Sequence, residues 1–316
     1  MPMIRETLER FQALIYFAAV ALAACLAMLV SGTEVLERAI NPALALMLYV
    51  TFLQVPVPAL RAAFAQGRFL LALLTTNFVA IPLLVWGLSW ALPDDGLVRF
   101  GVLLVLLAPC IDYVVTFAHL GEADARLLLA ATPILLGVQM ALLPLYLHAM
   151  LGGDAAALVQ AGPFVDAFVW LIAVPLLAAI ATQLWAARSA RGACISAALG
   201  VLPVPATALV LFVVVAAVVP QLEAARSAAL QVLPVYLVFA VLAPAVAWCV
   251  AKVFQLEVSA ARAVAFSGST RNSLVVLPLA LAVPGALPVL PAVIVAQTLV
   301  ELVSELVYIK LMPRLR

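Results

Sequence analysis

Arg262-Ala263-Val264-Ala265-Phe266-Ser267-Gly268-Ser269-Thr270-Arg271-Asn272-Ser273-Leu274-Val275-Val276-Leu277-Pro278-Leu279-Ala280-Leu281-Ala282-Val283 is an apolar run with a polar break at its middle. A helix needs about 20 such residues to cross the hydrocarbon core of a bilayer, and this run has that length. The break, from Ser267 to Ser273, carries a full positive charge on Arg271. A charge near the bilayer centre costs at least ~2.5–3.5 kcal/mol, so Arg271 must face protein or water and have a partner there. Interrupted spans of this kind are the sequence pointer to substrate and ion sites in transporters.

Further runs lie at 11–30, 41–60, 69–92, 98–118, 126–150, 163–186, 200–220, 231–252 and 290–310, and with 262–283 they make ten spans. The 316 residues are 68% apolar and 10% charged, with a mean hydropathy of +1.26. An ordinary globular domain is roughly half apolar and a quarter charged, so this composition has lipid as its solvent. Inside lipid every backbone polar group must be paired within the protein, which leaves helices or a closed barrel. The runs are rich in Ala and Leu and lack strict alternation, which selects helices. The expected fold is an all-α polytopic membrane protein, with residues 1–316 forming a single transmembrane transporter domain. The run at 11–30 contains Leu22-Ala23-Ala24-Cys25, which resembles a lipoprotein cleavage signal, but it is long enough to be a span itself.

Charge placement tests the count. Of sixteen Lys and Arg, twelve fall on the N-terminus, the even-numbered loops and the C-terminus: Arg5, Arg10, Arg61, Arg68, Arg126, Arg188, Arg191, Lys252, Arg262, Lys310, Arg314 and Arg316. Three fall on odd-numbered loops, Arg38, Arg99 and Arg226, and Arg271 lies inside a span. By the positive-inside rule this puts the protein in the cell membrane with both termini cytoplasmic. Ten spans divide into repeat one, about 11–150, and repeat two, about 163–310. Five spans per repeat would set the two in opposite orientation. Spans 4 and 9 hold equivalent places, and span 4 is also broken, at Ala108-Pro109-Cys110-Ile111-Asp112.

The candidate site residues follow from these breaks. Asp112 is the natural counter-charge for Arg271, and the two are expected to pair if the broken spans meet. Ser269, Thr270 and Asn272 flank the cation with polar groups. Cys110 sits beside a helix-breaking proline; such a thiol is either a small hydrophobe or, as thiolate, a soft ligand. Glu301 lies near the centre of span 10 and Glu305 four residues on, along one face. Intramembrane carboxylates recur in proton relays and cation sites. Glu301 is read as functional and Glu305 as supporting, with Lys310 and Arg314 in reach. Asn77 and Gln139 interrupt spans 3 and 5, where amides hydrogen-bond between helices. Prolines 109, 133, 144, 175, 278 and 284 are expected to kink or end helices.

Several function classes drop out. The net charge of +1 gives no field for nucleic acid. The four cysteines lack metal-site or disulfide spacing, and no nucleotide-binding or hydrolase motif is present. No metal, cofactor or enzymatic chemistry is expected. A receptor without flux is the remaining non-transport class.

Along its whole length the chain resembles the bile acid:sodium symporter superfamily, and within it the arsenite efflux permeases. The resemblance rests on Leu46-Met47-Leu48-Tyr49 followed by Gln54-Val55-Pro56, Asn77 followed by Pro82-Leu83-Leu84, Ala108-Pro109-Cys110, Gln139, and Leu299-Val300-Glu301. It implies two inverted five-helix repeats, a panel and a core domain, and broken spans 4 and 9 that cross. It also implies roles in arsenite transport for Cys110 and Glu301. Span 9 departs from the family pattern. Ser269-Thr270-Arg271-Asn272-Ser273-Leu274 stands where arsenite permeases carry a Ser-Asn-Asn-Phe-Glu-like stretch, so a carboxylate is absent and a cation present. Arg271 would then occupy a position where sodium-coupled relatives hold sodium. Two functions follow: proton-coupled efflux of arsenite-like oxyacids through Cys110 and Glu301, or carriage of an organic anion bound by Arg271.

Overall fold

The structure is a computed structural model, and it describes residues 2–54, 66–111, 113–151, 162, 165–166, 168–281, 283, 285 and 288–315. Among them every regular element is a helix. In chain order these are α1 (Pro2–Leu29), α2 (Glu37–Phe52), α3 (Gly67–Ser89), α4 (Gly96–Leu106), α5 (Val114–Leu120), α6 (Ala125–Leu151), α7 (Val174–Arg188), α8 (Ala190–Leu199), α9 (Pro203–Val218), α10 (Leu222–Val253), α11 (Val258–Ser269), α12 (Ser273–Leu281) and α13 (Val289–Leu311).

Six helical stretches are long and apolar enough to cross a membrane, and α8 with α9, bent by 45°, would make a seventh. This is fewer than the expected ten, and two of the shortfalls fall at the broken runs. Expected span 4 is α4 and α5, and expected span 9 is α11 and α12, with non-helical residues between the halves. Neither half is long enough to qualify alone. Expected span 6 is described as a π-helical segment, Phe168–Ala173, leading into α7.

α8 is a helix where a loop was expected. Ser189 starts it by accepting from the Gly192 N–H, and Gly192 lets it fold back on α7. A Cβ on Gly192 would lie 2.8 Å from the Trp185 carbonyl oxygen. Its exposed, small-residue sequence with Arg191 gives no span-like signal.

By contacts the chain forms two compact units, each from two segments: Met1–Val57 with Gly162–Glu223, and Pro58–Ala161 with Ala224–Arg316. In the first, α9 packs against α1 and α2, and α7 against α2 and α8. Ala23 on α1 and Ala216 on α9 are fully buried against one another's helices. Small residues at such contacts let backbones approach in lipid, where apolar burial alone does not drive association.

In the second unit α13 packs on α4, α5 and α12, and α11 on α3, α5 and α6. Asp95 caps α4 by accepting from the Leu97 and Val98 N–H groups at 2.9 and 3.1 Å. Prolines inside these helices orphan the carbonyl four residues earlier, and tyrosines take up the slack. Pro82 leaves the Phe78 carbonyl unpaired, and the Tyr146 hydroxyl donates to it at 2.6 Å. Pro244 does the same to Ala240, which accepts from Tyr308 at 2.5 Å. Upstream of Pro82, residues Thr76–Ala80 widen into a π-helical turn. Pro133 and Pro144 lie inside the continuous helix α6, so the expected kinks do not end it.

Candidate functional site

The broken halves of spans 4 and 9 meet in the second unit. α4 ends before Ala108-Pro109, and Pro109 has no N–H to continue a helix. α11 ends where Thr270 becomes extended, at φ −103° and ψ 129°. The two extended stretches pair antiparallel at Pro109 and Arg271. The Cys110 N–H donates to the Thr270 carbonyl at 3.1 Å, and the Asn272 N–H to the Ala108 carbonyl at 2.8 Å. This short ladder pairs backbone groups that the breaks would otherwise strand in a dry interior.

Arg271 projects from the ladder and is fully buried. Its guanidinium has no carboxylate within 4 Å among the described residues. Nη2 donates to the Ser267 carbonyl at 2.5 Å and to Asn77 Oδ1 at 3.0 Å, and Nη1 donates to the Leu106 carbonyl at 3.3 Å. Its carbon lies 5.6 Å from the centre of the Phe239 ring. Leu106 is the last residue of α4, and Ser267 is in the last turn of α11. The last four carbonyls of a helix lack internal partners, and each helix C-terminus carries roughly half a negative charge. Two such termini facing one guanidinium supply about one unit of compensating charge. Asn77 is placed for this by the π-helical turn, and its Nδ2 is spent on the Ser267 hydroxyl at 2.9 Å and the Leu73 carbonyl at 3.1 Å. Its Oδ1 is thereby oriented toward the cation. Arg271 Nε has no partner among the described residues.

The carboxylates of α13 engage the backbone and hydroxyl of the same break. Glu301 Oε2 accepts from the Arg271 N–H at 2.7 Å and from Gln297 Nε2 at 2.6 Å, and Oε1 accepts from the Tyr113 hydroxyl. Glu305 Oε1 accepts from the Thr270 hydroxyl at 2.5 Å, and its Oε2 has no described partner. Both carboxyls are buried, one helical turn apart on α13. A cavity of about 10 Å³ lies beside Glu301, lined also by Ser269, Gln297, Tyr236, Ser304 and Tyr308. That is room for about one water molecule, and its polar walls can hold one. The Glu301 carboxyl thus accepts three hydrogen bonds and borders this cavity.

The remaining expected residues fall into place around this network. Cys110 is buried in the ladder. The Asn272 side chain caps α12 by accepting from the Val275 N–H at 3.4 Å. The Ser269 hydroxyl is turned back on its own helix, to the Ala265 carbonyl at 2.8 Å. Gln139 is fully buried on α6, and neither of its polar atoms has a partner among the described residues. Asp112, the expected partner of Arg271, lies outside the described residues. Lys310 and Arg314 make no ion pair with Glu305 among the described residues.

Tyr113 and Gln297 were not singled out in the sequence. Their signals were available: Tyr113 directly follows the break at 109–112, and Gln297 stands four residues before Glu301 on one face. Gly268 is a third. A Cβ there would lie 2.5 Å from the Ala247 Cβ and 2.9 Å from Thr76 Cγ2, so only glycine lets α11 pack this close to α10 and the π-helical turn.

A search of curated proteins finds no significant match to the chain. Residues 41–228 match the Sodium Bile acid symporter family. That stretch is more than half of the chain and includes Asn77 and Cys110, and it ends before Arg271, Glu301 and Glu305. Members of this family are secondary transporters rather than enzymes. With its long apolar helices and the matched stretch together, the chain belongs to the sodium bile acid symporter family and is a membrane-embedded secondary transporter of small solutes.

Proposed function

We propose that this transporter exports arsenite-like oxyacids in exchange for protons, with Glu301 as the proton carrier and Arg271 as a built-in cation in place of a transported metal ion. The observation that carries this reading is the division of labour at the break. The guanidinium is held by the carbonyls of Leu106 and Ser267 and by Asn77, the kind of oxygen cage that suits a hard cation. The carboxyl of Glu301 is held by donors beside a water-sized cavity. A cage filled by a tethered cation has no vacancy for sodium, which leaves the proton as coupling ion. Arsenous acid is mostly neutral at pH 7, so coupling must then run through a protein carboxyl rather than through substrate charge. Cys110, at the ladder, supplies the soft sulfur that arsenic(III) prefers.

The architecture proposed with it is ten spans in two inverted repeats, with both termini cytoplasmic in the cell membrane. The two-unit division supports this. Each half of the chain gives its first two expected spans to one unit and its next three to the other. The pairing of the two broken spans supports it further.

A second reading, an organic-anion carrier with Arg271 as the binding cation, draws on the unpartnered Nε. The fixed oxygens that already hold both Nη groups favour the first. Arsenite accumulation in everted vesicles under an imposed proton gradient tests the choice. Uptake that is lost in Cys110→Ser supports arsenite efflux through a thiol site. No uptake above empty vesicles overturns it, and organic anions with Arg271 variants are then the substrate screen.

A further inference from the structure

Outside the break network, the second unit carries an apolar groove of about 540 Å³ between α10 and α13. Leu237, Val241, Ala245 and Trp248 form one wall, and Val303 and Val307 stand on the other. The volume falls within the roughly 300–1,000 Å³ of small-molecule sites, and the lining is nearly all hydrocarbon. Val241 is 71% exposed and Val303 56% exposed, so the groove opens outward rather than into the core.

One end of the groove is chemically distinct. Tyr236 on α10 donates to the Val293 carbonyl, and further along Tyr308 on α13 donates to the Ala240 carbonyl, so the two helices advance in the same sense. Both therefore deliver their C-terminal ends to one end of the groove. There the Lys252 ammonium stacks at 4.7 Å over Trp248, a lining residue. Lys310 and Arg314 flank the lining residues Leu311, Met312 and Leu315. Arg262 fixes that end by donating to the Pro313 and Leu315 carbonyls, and it pairs with the Glu122 carboxylate at 3.5 Å. Trp at the water interface with Lys and Arg beyond it is the arrangement that seats an anionic lipid headgroup above a buried chain.

We propose that this groove binds an anionic phospholipid, with one acyl chain between α10 and α13 and the headgroup phosphate at Lys252 and the basic C-terminal turn of α13. Charge complementarity selects the occupant. The positive field at this end attracts an anionic headgroup more strongly than an apolar partner helix or a zwitterionic lipid. The site also abuts the transport machinery. Ala240, Ser304 and Tyr308 line both the groove and the water-sized cavity beside Glu301, with the Tyr308 side chain between them. A seated chain would press on that wall. The proposal needs only that the protein lies in a membrane, and it stands whatever the solute.

The test uses the full chain purified in detergent, offered equal amounts of phosphatidylglycerol and phosphatidylcholine and weighed intact by native mass spectrometry. The expected result is one retained phosphatidylglycerol, preferred about fivefold for each basic residue engaged. Ala245→Phe fills the groove and should abolish retention. Lys252→Glu should keep the chain site and lose the preference. Unchanged melting of both variants without added lipid excludes misfolding. Equal retention of the two lipids by the wild type would overturn the proposal, as would retention unaffected by Ala245→Phe. A dimer in the wild-type spectrum that Ala245→Phe dissociates would also overturn it, by assigning the groove to a second copy.

Discussion

Replacing Arg271 by alanine should turn a self-satisfied cage into a hungry one. The substitution strands three buried acceptors: the Leu106 and Ser267 carbonyls and Asn77 Oδ1. A buried polar atom left without a partner costs about 1–3 kcal/mol, which brackets the loss at about 3–9 kcal/mol. The space left by a side chain of this size admits water, which re-pairs part of the set. The expected loss is therefore in the lower half, about 3–5 kcal/mol. For a chain this long each kcal/mol moves the melting temperature by roughly 2 °C, so the variant should melt about 6–10 °C lower. The assay is thermal unfolding of the purified protein with sodium or choline as the only added cation. Sodium should recover a substantial part of the lost stability in Arg271→Ala, because the same oxygens can coordinate it. It should leave the wild type unmoved. Arg271→Lys should fall between, since one ammonium keeps the charge but lacks the planar fork that reaches all three acceptors. A variant that melts with the wild type, or sodium stabilisation equal in both proteins, would refute the built-in-cation reasoning.

Other consequences follow from the same contacts. Gly268→Ala drives a methyl into the Ala247 Cβ and should destabilise by about 1–3 kcal/mol; adding Ala247→Gly should return much of that in the same melt. Tyr308→Phe leaves the proline-orphaned Ala240 carbonyl without its donor and should lower stability by about 1–3 kcal/mol, with transport largely kept. Tyr113→Phe removes a donor from the Glu301 carboxyl while leaving the backbone ladder intact. It should slow proton-driven uptake severalfold more than it lowers the melting temperature, and equal loss of both would contradict a role in coupling.

The sequence was most informative where it broke its own pattern. Arg271 in the middle of an apolar run demanded a buried partner on energetic grounds alone, and the run at 98–118 disclosed its own break through Pro109. Glu301 and Glu305 declared themselves as one face of a helix by their spacing of four. The partners were less legible. An arginine calls for an anion by simple Coulomb reasoning, which pointed to Asp112. The described partners are two helix-end carbonyls and an amide, and carbonyls are present at every position of every sequence. Which of them are orphaned is decided by where α4 and α11 stop. Asn77 was visible as an interruption, but its orientation depends on the π-helical turn that Pro82 imposes. The helix at 190–199 was missed because short, exposed, small-residue segments have neither apolar length nor period. It is held by one serine cap and by Gly192 lying against α7.

Proton movement tests the central claim most directly. Everted vesicles energised to an acid interior, in sodium-free buffer, are followed with a pH-sensitive dye as arsenite is added. The account predicts arsenite-dependent collapse of the gradient in the wild type, unchanged by added sodium and absent in Glu301→Gln. That variant keeps a side chain of the same shape and an oxygen for the Arg271 N–H. A strict requirement for sodium, or a Glu301→Gln protein that still exchanges protons for arsenite, would contradict it.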